Sequence, residues 1–326
     1  MKTARLDGLD ALRGIAALCV FAYHALEELG SNAYLAVDFF FMLSGYVMAR
    51  TYEARLAGGL APMRFFVMRL GRLWPTLFFG SLLAVPWLLS QHPIADVWPA
   101  IVANLLLIPF AVGGWMFLLN GPAWSIFFEL FANALHAVLL WRLSPRAIAA
   151  LLVPLIVLLA LAASRYSFDV GSTLNGFGAA LPRVLVSYGI GILLWRKWRD
   201  APSIKVSGAF TLLIMPAFFG INALIAGDSW QADLLFVLLV CPLLIAGGLR
   251  IERVHPVLLW FGAISFPLYA VHVPAMRLVA WLDGDRLWGI ALCIPLAWAL
   301  KRLAEVVHAF DFARLVQRRR GALAKA

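Results

Sequence analysis

Apolar stretches long enough to cross a bilayer, separated by short polar pieces, recur along nearly the whole chain. They run over 11–29, 35–50, 73–91, 98–112, 124–141, 147–163, 178–195, 205–226, 231–249, 257–281 and 286–307. About 20 apolar residues in a helix span a hydrocarbon core of about 30 Å. The residue-by-residue alternation of a barrel strand is absent, which excludes an outer-membrane barrel. The pattern therefore predicts an all-α membrane protein, a polytopic helical bundle. The weakest stretch is 98–112, which is short and ends in Pro109 and the Gly113-Gly114 pair. Its length suits a re-entrant or interfacial segment better than a crossing.

The polar pieces between stretches are basic. Arg50, Arg55, Arg64, Arg69 and Arg72 form one group; Arg196, Lys197 and Arg199 another; Arg250 and Arg253 a third; Arg314, Arg318, Arg319, Arg320 and Lys325 close the chain. Such loops stay on the cytoplasmic side. Placing them and the N-terminus there requires an even number of crossings. Ten transmembrane helices plus one re-entrant or interfacial segment, with both termini cytoplasmic, satisfy this.

Composition agrees. Of 326 residues, 63% are hydrophobic and 13% charged, and a soluble domain carries about twice that charge. The net charge of +10 sits in those loops, where it rests against anionic lipid, so no nucleic-acid partner is indicated. Cys19, Cys241 and Cys293 lie in apolar stretches without CxxC spacing, which indicates neither a disulfide framework nor a metal site. Lys2, Arg5 and Arg13 ahead of an apolar run imitate a signal peptide, but no small-residue cleavage site follows, so the first stretch is read as uncleaved. Residues 1–326 read as one domain, with 313–326 as a basic cytoplasmic tail. The basic piece 63–72 reads as an interfacial stretch on anionic lipid.

Candidate chemistry begins with Arg13 and His24 on the first stretch. Eleven steps of about 100° place them on nearly one helix face, ~16 Å apart along the axis. An arginine at the membrane edge and a histidine half-way in are costly, and mark a functional site by default. No Gly-x-Ser-x-Gly elbow, dinucleotide loop or His-x3-His zinc spacing occurs. Other polar residues lie inside or beside the stretches: Asp38, Ser44, Arg69, Arg72, Ser125, Glu129, Arg183, His272 and Glu305. Singly, each has a structural reading: a histidine bonding between helices, arginines setting topology, Glu305 partnering a nearby arginine. A purely structural bundle seldom carries so many.

Five motifs then occur in order. They are Arg13 through His24; Phe40-Phe-Met-Leu-Ser44-Gly45; Arg69-Leu-Gly-Arg72 with Pro75 after it; Trp124-Ser125-Ile-Phe-Phe-Glu129; and Ile264-Ser265-Phe-Pro-Leu-Tyr269-Ala-Val-His272. Together they resemble the acyltransferase-3 family of integral membrane O-acyltransferases over essentially the whole length. The acidic pair usual after Trp-Ser is reduced here to Glu129, and the SGNH-type hydrolase domain of some members is not expected. The resemblance implies a bacterial cytoplasmic (inner) membrane enzyme. It would transfer an acyl group, most often acetyl from acetyl-CoA, to a hydroxyl of an extracytoplasmic, lipid-linked or exported glycan.

On that resemblance, Arg13, Arg69 and Arg72 would hold the donor's phosphates at the cytoplasmic mouth, where guanidinium forks suit phosphate oxygens. His24 would be general base on the acceptor hydroxyl. Ser44, Tyr23 or a histidine would donate to the oxyanion, a choice the residues leave open, as they do a covalent acyl-enzyme. Asp38 and Glu129 would orient the acceptor or His24, and His272 would belong to the acceptor side. No metal is called for. The rival reading is a proton-coupled secondary transporter relaying protons through His24, Asp38, Glu129 and His272. Transporters often carry internal repeats, and no half-to-half similarity is visible here.

Overall fold

The computed structural model describes residues 6–26, 32–225 and 229–309; the basic tail at 313–326 lies outside them. The described chain is built of helices: α1 (Asp7–Ala25), α2 (Ala36–Ala57), α3 (Pro62–Leu82), α4 (Val85–Gln91), α5 (Ile94–Leu105), α6 (Ala123–Val138), α7 (Pro145–Tyr166), α8 (Ala180–Trp198), α9 (Gly208–Ile225), α10 (Trp230–Leu235), α11 (Cys241–Gly248), α12 (Pro256–Trp281) and α13 (Arg286–Ala309). A π-helical turn, Phe236–Val240, joins α10 to α11 in one rod.

Each apolar stretch expected to cross overlaps a helix. By length and apolarity alone, six helical rods are able to cross a membrane, or seven if α3 and α4, bent by 46°, count as one. That falls short of ten, and the reason is physical. Helix α6 has 16 residues. Helix α1 carries Asp10, Arg13 and His24, and α8 carries Arg183, Arg196 and Lys197. The helices least like ordinary lipid-facing spans are those that bring polar groups into the bundle.

Two boundaries differ from the sequence reading. Helix α2 continues to Ala57, and after a turn at Gly59 (φ +94°) the chain enters α3 with proline in its first turn. The basic stretch 63–72 is therefore the first half of α3, not a separate surface piece, and Arg69 and Arg72 lie on a continuous helix. Helix α5 has 12 residues, about 18 Å at 1.5 Å each, and ends at Leu105. Leu107 takes a positive φ of 59°, which stops the helix ahead of Pro109.

Helix α2 lies at the centre, packed on α8. A Cβ on Gly45 would stand 2.0 Å from the Tyr188 carbonyl, and one on Gly191 2.0 Å from that of Met42. Small residues let the two backbones touch, as in membrane helix pairs generally. Helix α1 packs on α12 in the same way through Gly14 and Gly262. Phe39, Phe41, Met42, Tyr46 and Tyr188 fill the core between them.

Candidate active site

Helices α1, α2, α3, α6, α12 and α13 surround a cavity of about 610 Å³. Its α2 wall runs from Val37 to Met48, eleven helical steps and therefore ~16 Å deep. Helices α1 and α3 run antiparallel to α2, so Arg13, Arg69 and Arg72 approach the Met48 end. Lys301 and Glu305 of α13 close that end. Four basic and two acidic residues, Glu129 and Glu305, line the whole cavity. The surplus is cationic and collected at one end.

The three arginines expected at a mouth thus share one cavity, although α1 and α3 are separated by all of α2. Arg69 is buried and donates to Glu129 Oε1 at 3.2 Å, the same oxygen that accepts Ser44 Oγ–H at 2.8 Å. Arg69 Nε is buried with no hydrogen-bond partner among the described residues. The side-chain bonds of Glu129 are thus with Arg69 and Ser44 and not with His24. Arg13 pairs with Asp10 one turn back at 3.3 Å.

At the other end the walls are Val37, Phe40, Phe41, Ser125 and Tyr269. Ser125 and Tyr269 hydroxyls lie 2.6 Å apart. Behind Tyr269, on the same helix face, is His272, its ring 5.8 Å from the tyrosine ring and 5.0 Å from that of His24. His24 and His272, separate in sequence, are neighbours; neither lines the cavity itself. His272 is fully buried, and its Nδ1 lies 3.1 Å from the Leu268 carbonyl. A carbonyl only accepts, so Nδ1 carries the proton and Nε2 keeps a bare lone pair. That Nε2 has no hydrogen-bond partner among the described residues. Tyr23 packs 5.0 Å from His24 and donates its hydroxyl proton to Asp169 at 2.8 Å.

Asp38 stands apart from this. It is fully buried and bound by Arg183 through Nε (3.0 Å) and Nη2 (2.7 Å), with Ser187 at 3.2 Å. The guanidinium also donates to the Val170 and Tyr34 carbonyls at 3.1 Å each, and lies among the rings of Trp124, Phe168 and Tyr34. Every oxygen of Asp38 is engaged by Arg183 and Ser187 of α8, which ties α2 to α8, and His24 is not among its partners. Glu305 pairs with Lys301 (2.5 Å) and Arg302 (3.1 Å) on its own helix, as a structural partner should.

The sequence profile of an acyltransferase domain family, the acyltransferase-3 family, matches residues 6–300. The chain belongs to this family. A protein 2 in the picA locus of Rhizobium radiobacter is 35% identical over 40% of this chain and 79% of its own length. The acyltransferase MdmB of Streptomyces mycarofaciens is 27% identical over 94% of this chain and 89% of its own. The peptidoglycan O-acetyltransferase OatA of Listeria monocytogenes is 24% identical over 43% of this chain and 22% of its own. No solved structure matches. The resemblance seen in the five motifs holds, and the chain is an integral membrane O-acyltransferase.

Sequence reasoning missed two features of this acyltransferase. Lys301 belongs to none of the motifs, and nothing in its neighbours signals that α13 folds back onto α3. The Ser125–Tyr269 contact joins positions 144 residues apart; both lay inside quoted motifs, but spacing alone does not reveal that they meet.

Proposed function

We propose that this acyltransferase moves an acetyl group from cytoplasmic acetyl-CoA to a hydroxyl of an extracytoplasmic or membrane-associated glycan. One observation carries the reading. Arg13, Arg69, Arg72 and Lys301 gather at one end of a cavity whose far end leads through Tyr269 to the His24–His272 pair. A cationic mouth suits phosphate oxygens, and a depth of ~16 Å accommodates a slim acyl-pantetheine arm. The basic loops favour a cytoplasmic mouth, both termini cytoplasmic, and ten crossings of the inner membrane. The relative named as a peptidoglycan O-acetyltransferase supports acetyl as the group and a glycan hydroxyl as the acceptor.

In this mechanism the thioester lies at the far end of the cavity and the acceptor hydroxyl enters from the opposite membrane face beside His24. His24 takes the hydroxyl proton as the oxygen bonds to the thioester carbon. The tetrahedral intermediate collapses, the carbon–sulfur bond breaks, and the proton on His24 passes to the departing thiolate. His272 packs against His24 and fixes its ring. Glu129 and Ser44 hold Arg69 in the mouth.

The test is labelled acetyl transfer from acetyl-CoA in membranes containing the wild type or His24→Ala, with endogenous glycolipids and exported glycans as acceptors. Label reaching a glycan only with the wild type is the expected result. A folded wild type that neither binds nor uses acetyl-CoA overturns the reading.

A further inference from the structure

We infer that the Tyr269 and Ser125 hydroxyls are the oxyanion donors of the transfer reaction. The inference rests on the acetyl-CoA reading of the cavity and adds the catalytic group that reading leaves unassigned. Addition to a thioester turns its carbonyl oxygen into an oxyanion, which needs a proton donor within hydrogen-bond reach. The far end of the cavity offers few, since Thr76, also in the lining, lies one turn beyond Arg72 on α3 and so nearer the mouth.

Ser44 has one proton, and it goes to the Glu129 carboxylate at 2.8 Å. Tyr23 gives its proton to the Asp169 carboxylate at 2.8 Å. A bond to an ionised oxygen is stronger than one to a neutral carbonyl, so neither proton transfers readily to a thioester. Ser265 donates to the Gly262 carbonyl at 2.8 Å. His272 commits its one proton to the Leu268 carbonyl, and its remaining nitrogen is an acceptor.

Ser125 and Tyr269 differ. Both residues line the cavity at its far end. Ser125 Oγ reaches the Pro122 carbonyl at 2.9 Å, Tyr269 Oη reaches the same carbonyl at 3.2 Å, and the two oxygens are 2.6 Å apart. These are three contacts served by two protons. The Pro122 carbonyl also accepts the Ser125 backbone N–H at 3.1 Å, so both hydroxyl protons can turn to an arriving carbonyl oxygen and leave no buried acceptor bare. The pair is thus a donor held in place before the substrate arrives, at the depth where the arginines would set the thioester. It also adjoins the histidines, since the Tyr269 ring packs 5.8 Å from His272.

The chemistry balances. The acceptor oxygen bonds to the thioester carbon, its proton passes to His24, and the carbonyl π pair moves onto oxygen, where Tyr269 and Ser125 donate. Collapse restores the carbonyl and expels the thiolate of coenzyme A, which takes the proton from His24.

The experiment uses the full chain in membranes and acetyl-CoA labelled with ¹³C at the carbonyl. Without acceptor, the bound carbonyl stretch is expected at lower frequency in the wild type than in water, and Tyr269→Phe is expected to lose that shift. With acceptor, Tyr269→Phe is expected to lower kcat about 10²–10³-fold, the effect of removing one oxyanion donor, with KM for acetyl-CoA within a few-fold. Ser125→Ala is expected to lose less, because the tyrosine keeps its proton. The Phe variant retains the ring that packs on Phe40 and His272, so folding is preserved. Wild-type kcat and an unchanged carbonyl band in Tyr269→Phe overturn this assignment alone. Weakened acetyl-CoA binding equal to the loss of kcat overturns it in favour of a packing role. A wild type that binds no acetyl-CoA overturns the cavity reading and this assignment with it.

Discussion

Two arginine sites lie inside this helical bundle and behave as opposites. Around Arg183, Asp38 is matched oxygen by oxygen, two backbone carbonyls take further guanidinium protons, and three aromatic rings close the shell. Around Arg69, a single carboxylate oxygen is shared with Ser44, Nε is left bare, and further arginines and a lysine face the same space. Burial is nearly equal: Arg183 is 0% exposed and Arg69 6%. Saturation is what separates them. A buried charge with every nitrogen bonded is a structural clamp, whereas a cluster with surplus positive charge and an open cavity awaits an anion.

The largest expected effect breaks the saturated site. Arg183→Ala leaves Asp38 ionised and unpaired between α2 and α8, a loss of about 3–5 kcal/mol for a broken buried pair. The folded yield in membranes, measured by size-exclusion profile or protease resistance, should collapse. An Arg183→Ala protein that is well folded but inactive would instead make Asp38 part of the chemistry. Next in size, His24→Ala should lower kcat by about 10²–10⁴, the usual contribution of a general base. Folded yield and acetyl-CoA binding should stay near wild type, because His24 is outside the cavity lining.

The same contrast explains how much was legible in the sequence. Hydrophobic runs report that a segment is buried or lipid-facing, and they located most helices within a few residues, but not the end of α2 at Ala57, the start of α3 at Pro62 or the end of α5 at Leu105. Motif order located Arg13, Arg69 and Arg72, and the fold gathered them in one cavity. Pairings were not legible. Asp38 finds Arg183 across 145 positions, and no local pattern says that a carboxylate on α2 is answered on α8 and not at the active site. Glu129 was placed near the acceptor because its helix begins on that side; a turn of α6 beyond Ser125 carries it to Arg69. By length and apolarity alone α1 and α8 fall short of a span, because their polar groups depress the signal where the bundle depends on them.

Within the unsaturated site the arginines should separate binding from turnover. Arg72→Ala removes a cation from the mouth without breaking a hydrogen bond to Glu129, and should raise KM for acetyl-CoA roughly tenfold, the loss of about one charge-assisted contact, with kcat near wild type. Arg69→Ala should raise KM similarly but also lower folded yield, because Glu129 then loses its cation and keeps only Ser44. Initial-rate kinetics against acetyl-CoA distinguish the two. Equal kcat losses in both variants would show that the arginines position the reacting atoms and do more than hold phosphates.

The smallest expected effect lies at the rim. Glu305 is an acidic residue on the basic end of the cavity, tied to Lys301 and Arg302 by contacts within one exposed helical turn. Such pairs contribute little to stability, so Glu305→Gln should leave the folded yield unchanged. It does release Lys301 toward the cavity and removes a negative charge from the path of an anionic donor. KM for acetyl-CoA should fall by a small factor, and the difference from wild type should shrink as salt rises, since charges at a solvated rim are screened over about 10 Å at 0.1 M. Arg72→Ala, deeper in the cavity, should keep more of its effect under the same salt. A Glu305→Gln variant that raises KM would place this carboxylate among the groups that hold the mouth together and move the boundary between the two kinds of site to the end of α13.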